Sequence, residues 1–143
     1  MLIALPLLVI PVVFYAIVVL FSGDSGTAAM MGADHALRDP VFSMGMASGA
    51  QWSVGIGDVI LFFSLVLLFF ELLKSTSSQK VAIINHALSM ILLIVCLVAF
   101  LLVRSFATST FFLIMVMVLL DVLAGFIVTI ISARKDLDFG GGG

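Results

Sequence analysis

Among the polar side chains in or at the edges of long apolar stretches, six are the candidates for any chemistry this chain performs in an apolar setting: Asp58, Glu71, Asn85, His86, Ser89 and Asp121. Asp121 is the most informative. It lies near the middle of the apolar run Phe111–Ile131, and an ionised, unpaired acid at a bilayer midplane costs roughly 2.5–3.5 kcal/mol on insertion scales. Two roles would offset that cost. In a proton or cation site the carboxyl is the titrating or coordinating group. In a packing role it hydrogen-bonds a neighbouring helix and fixes how the two helices meet.

The spacing groups these residues into faces. At helical periodicity Asn85, Ser89 and Cys96 share a stripe with His86 on its edge, and Asp121, Gly125 and Thr129 share another, with Ser132 on the same side. Gly57, Ser64 and Glu71 recur every seventh residue and form a third. Small residues on such faces allow close helix approach. On antiparallel neighbours His86 and Asp121 would be offset by about 8 Å along the membrane normal, so contact between them needs tilt or an intervening water. Asp58 points away from the Glu71 face, and Arg104 is the nearest cation in the expected topology, so these two are expected to pair. Glu71 is expected to reach the headgroup region or to pair with Lys74, its neighbour three residues on.

Other chemistries find less support. Asp34, His35 and Asp39 are metal-ligand types, but no HExxH or CxxC pattern accompanies them, and no metal site is expected. No cofactor is expected either, because His86 as a haem ligand would lack an axial partner: the second histidine, His35, falls in a loop. Neither a Cys-His or Ser-His nucleophile nor a phosphate-cradling glycine loop can be argued from the spacing, so the chain is not expected to be an enzyme. The net charge of -2 from 6 basic and 8 acidic residues, with no run of either sign, points away from nucleic acid. Cys96 is the single cysteine, which excludes an intramolecular disulfide.

The elements that must position these residues follow from composition. The chain is 64% apolar and 10% charged, against about half and a quarter in soluble domains. A domain of this size buries only about 70% of its unfolded surface, so lipid has to cover much of the rest. The expected fold is an all-α membrane protein, a four-transmembrane-helix bundle with one longer extracytoplasmic loop. The spans are expected over 1–21, 51–73, 81–103 and 111–131, with the loop over 22–50 and a disordered cytoplasmic tail over 132–143. Pro6 and Pro11 should bend the first span and leave one carbonyl in need of a partner. No Lys or Arg precedes that run, which argues against a cleaved signal peptide. Trp52 suits the lipid–water interface at the start of the second span. In the loop, a short interfacial helix is expected, with Met30, Met31, Val41, Phe42, Met44 and Met46 at headgroup level.

An even number of spans puts both termini on one side. That side holds Lys74, Lys80, Arg134 and Lys135 against Arg38 and Arg104 on the other, so the positive-inside rule favours cytoplasmic N and C termini in a cell membrane, with a bacterial inner membrane as the expected setting. Four spans in a short chain superficially resemble small multidrug-resistance transporters, in which an acid inside a helix couples substrate to protons. Here the first span has no acid, the mid-span acid is in the last span and the outer loop is long, so no residue is carried over. The expected function is a non-catalytic integral membrane subunit, an accessory, scaffolding or assembly component of a larger inner-membrane complex or a homo-oligomer. Its partners would be the lipid bilayer and other membrane subunits or further copies of itself. The alternative is a small proton- or cation-linked transporter built on Asp121, with Asn85, His86 and Ser89 lining the path.

Overall fold

Runs of Leu, Val, Ile and Phe without interior proline build the long helices of this protein. A computed structural model describes residues 5–22, 28–74 and 79–140, with the backbone alone at 79–81, 132 and 135–140. In chain order the elements are α1 (Val9–Leu20), α2 (Ala29–Arg38), β1 (Pro40–Gly45), β2 (Gln51–Gly55), α3 (Ile56–Lys74), α4 (Gln79–Leu102), a 3-10 turn (Arg104–Phe106) and α5 (Ser109–Gly140). Three segments, Ile56–Lys74, Ala82–Leu102 and Ser109–Ile131, are long and apolar enough to cross a membrane. Expectations for Met1–Ala4, the turn from Ser75, the side chains of Lys80, Ser132 and Lys135, and the glycines after Gly140 lie outside the described residues.

The first apolar stretch differs from its expected form. Helix α1 has 12 residues, roughly 18 Å at 1.5 Å per residue, and is shorter than a hydrocarbon core of about 30 Å. Pro11 is its third residue, in the first turn, where no amide partner is required. No bend is therefore needed, and the carbonyls before it are occupied: the Val9 N–H donates to Pro6 O at 3.1 Å and the Ile10 N–H to Leu7 O at 3.0 Å.

The loop over 22–50 also carries more structure than expected, and the fold is not purely α. After α2, strands β1 and β2 pair antiparallel as a two-stranded ribbon, in the register Phe42↔Val54, Ser43↔Ser53, Met44↔Trp52, Gly45↔Gln51. Trp52 and Val54 alternate with Ser53 and Gly55, the period-two pattern of a strand, so Trp52 belongs to the ribbon and the next helix starts at Ile56 instead of Gln51. The ribbon turns through Gly49, whose φ of 84° favours glycine. At the other end of the chain the helical backbone runs on to Gly140, past Ile131. No proline after Ile131 interrupts its ladder.

The interior forms around α5, where Phe111, Ile114, Val118 and Asp121 recur at spacings of three and four and are buried. Gly57, Ile60, Ser64, Leu68 and Glu71 do the same on α3, and Leu8, Tyr15, Val19 and Cys96 close the core from α1 and α4. Tyr15 pins α1 to the turn that precedes α5. Its hydroxyl donates to Ser105 O at 3.0 Å and lies 2.6 Å from Thr108 Oγ1, while Thr108 Oγ1 accepts the Phe111 N–H at 3.2 Å as the N-cap of α5. The Tyr15 ring meets Phe106 edge to face and lies tilted against Phe111, with centroids 5.4 and 4.9 Å away.

Candidate functional site

Helices α4 and α5 are joined by a short turn and pack antiparallel, since residues falling in number on one meet residues rising on the other. Ser89 on α4 donates its hydroxyl to Asp121 Oδ2 on α5 at 2.5 Å, and both residues are buried, at 1% and 3% exposure. A short bond between a hydroxyl and a carboxyl group enclosed in apolar surroundings carries more weight than the same bond in water. One turn along, the imidazole of His86 lies against Gly125: a Cβ placed on Gly125 would meet His86 Nδ1 at 2.5 Å and Cγ at 3.1 Å. Glycine here makes the space the ring occupies. Asn85, on the same turn, is 3% exposed.

Asn85 Oδ1 and His86 Nδ1 are buried and have no hydrogen-bond partner among the described residues. Buried acceptors are nearly always paired with protein or water, so these two atoms mark a place with capacity for a further donor. The charged and titratable groups whose fields reach Asp121 are Glu71 and Lys74 from α3 and His86 from α4. His86 and Asp121 make no direct bond among the described residues, as their offset along the helices implied.

Glu71 does not reach outward to a headgroup. It is fully buried, with Oε2 accepting the Leu7 N–H at 2.7 Å and Oε1 3.3 Å from Lys74 Nζ, which in turn donates to Leu5 O at 2.6 Å. The carboxylate thus satisfies one of the free amides before α1, from a different helix. Asp58 is likewise a helix-end residue. At the third position of α3 it is exposed and accepts the Gly55 N–H at 2.9 Å, the acidic half of a capping box. No ion pair joins it to Arg104 among the described residues, and the expected pairing is corrected: Arg104 is taken up into the 3-10 turn, exposed, while Asp58 is held at the helix start. Thr129 is exposed and bonds back to Gly125 O at 2.9 Å, and Ser64 bonds back to Ile60 O at 2.7 Å. In the loop, Asp34 is engaged by Arg38 at 2.7 Å on the solvent side of α2. That carboxylate raises the guanidinium above its ordinary range.

The structure brings Asn85, His86, Ser89 and Asp121 to one α4–α5 junction, places Glu71 where α1 begins and sets Asp58 apart at the hairpin end. Sequence reasoning missed Tyr15, Thr108 and the Leu7 amide as polar anchors. Tyr15 was the findable one, as the lone tyrosine in an apolar run whose hydroxyl must find a partner when buried. Gly125→Ala is expected to lower stability by about 1–3 kcal/mol through overpacking, and His86→Ala in the same chain should recover much of it. Unfolding measurements on the two single variants and the double variant read this directly, and an additive double variant would contradict the contact. Comparison with protein-family models, curated proteins and solved structures gave no match, so function has to be read from these residues.

Proposed function

We propose that this chain is a non-catalytic integral membrane subunit, an accessory or scaffolding component that assembles with other membrane chains or with copies of itself. The observation that carries the reading is how its acids in the apolar helices are used. Asp58 holds the Gly55 N–H, Glu71 holds the Leu7 N–H and Lys74, and Asp121 holds the Ser89 hydroxyl. Each ties one element to another or closes a helix end, which is what a packing role requires. In this reading α1 is a fourth crossing segment lengthened by the turn at Leu5–Leu8, the termini face the cytoplasm and a bacterial inner membrane is the setting. Purification in a mild detergent is expected to yield a defined oligomer or a stoichiometric partner by native mass spectrometry. A monodisperse monomer without partner overturns the assembly role.

A second reading has its own support. The unpartnered Asn85 Oδ1 and His86 Nδ1 near the Ser89–Asp121 bond are the acceptor groups that a permeating proton or small cation would use, in a proton- or cation-linked transporter. In proteoliposomes, cation- or proton-driven flux that Asp121→Asn abolishes while the fold is retained supports it. Equal flux in both proteins rejects it.

A further inference from the structure

Alternation along β1 and β2 gives the ribbon two unlike faces. The cross-strand partners Phe42–Val54 and Met44–Trp52 project from one side, and Ser43–Ser53 and Gly45–Gln51 from the other. The Phe42 and Trp52 rings meet edge to face at 6.1 Å, yet both remain about half exposed, at 46% and 52%. The apolar face walls a groove of about 470 Å³, completed by Val54 and by Asp58, Val59 and Phe62 at the start of α3. Val59 also lines a second groove of about 350 Å³ between α1 and α3, whose walls, among them Ile10, Phe14, Phe63 and Val66, are wholly apolar. The ribbon's apolar face therefore continues, through Val59, into the outer surface of a helix long and apolar enough to cross a bilayer. Asp58, fastened to the Gly55 N–H, is the single charged group on the first groove among the described residues.

We propose that the β1–β2 ribbon lies flat in the lipid–water interface, apolar face down, and that the groove beneath Phe42 and Trp52 receives an acyl chain of a bilayer phospholipid. A ribbon that extended into water would leave one face needlessly apolar. One that paired edge to edge with another chain would use its backbone and require no difference between faces. Continuity with the surface of α3 and the seryl, glycyl and glutaminyl opposite face together select the interface, where an amphipathic element sinks about 5–10 Å into the headgroup–acyl boundary. The inference rests on the membrane reading above.

Trp52 is the only tryptophan in the chain, so its emission reports on the ribbon alone. The intact protein is reconstituted in phosphatidylcholine vesicles brominated either near the glycerol end or near the far end of the acyl chains. Blue-shifted emission, a large loss with bromine near the glycerol end and a smaller loss with bromine at the far end are expected, with little quenching by aqueous iodide. Moving the reporter to the other face, in Trp52→Phe with Ser53→Trp, should reverse the pattern to iodide-sensitive and bromine-insensitive. Strong iodide quenching of Trp52 with no bromine effect overturns the inference, and so does emission indifferent to both quenchers, the result for a ribbon covered by a second copy. Failure to float with the vesicles would instead overturn the membrane reading itself.

Discussion

Glu71→Ala is expected to remove about 3–5 kcal/mol of stability, the usual result of breaking a buried ion pair by deleting one partner. Two groups lose a counterpart at once. The Leu7 N–H loses its acceptor at 2.7 Å, and Lys74, whose side chain is only 16% exposed, loses its neighbouring carboxylate at 3.3 Å. The consequence is local as well as global, because Glu71 and Lys74 together hold Leu5–Leu7 ahead of α1 while Tyr15 holds its middle. Unfolding in detergent micelles or nanodiscs measures the loss. The double variant Glu71→Leu with Lys74→Met should cost less than Glu71→Ala, since it removes both members of the pair together. A loss of under about 0.5 kcal/mol, the range of ordinary surface substitutions, would place the Glu71 side chain outside the interior.

The second large effect is expected at Gly55, where the ribbon meets α2 and α3. A Cβ there would stand 2.8 Å from Leu37 O and 3.3 Å from the Arg38 backbone. Backbone atoms cannot rotate away as a side chain does, so Gly55→Ala should cost about 1–3 kcal/mol, toward the upper end of that overpacking range. It should also disturb the Gly55 N–H bond to Asp58 that begins α3. Gly57→Ala should be milder, because its nearest contact is the rotatable Thr110 Oγ1 at 3.0 Å. Gly45→Ala, with nothing within 4 Å among the described residues, should change stability by less than about 0.5 kcal/mol. A Gly55→Ala protein as stable as Gly45→Ala would contradict the seating of the ribbon on α2.

The inward faces of α3 and α4 were readable in advance because helical period is a local property, whereas the expected α5 face does not extend to Thr129, which is exposed. Asn85, Ser89 and Cys96 on α4 and Gly57, Ser64 and Glu71 on α3 are all buried, as residues on one inward stripe must be when their helices pack. Lys74 as a partner of Glu71 was readable too, because it lies three residues on along the same helix; partners supplied by another segment were not. Glu71 ends on the Leu7 amide, a backbone group that no side-chain spacing marks. Arg104 is the nearest cation to Asp58 in a four-span topology, but with the helix starting at Ile56 the same acid falls at the third helical position and caps its own helix.

Composition and hydrophobic run length, which depend only on residue identity and order, marked out four apolar segments, three of which form helices long and apolar enough for a bilayer. The tertiary structure decided the rest: the shortening of the first apolar run into α1, the pairing of β1 with β2 into an amphipathic ribbon, and the meeting of Ser89 with Asp121. The physical reason is the reach of the interactions. Helix propensity and hydrophobicity act within a few residues, whereas a buried carboxyl group must be satisfied by whichever donor the packing of distant segments brings within about 3 Å.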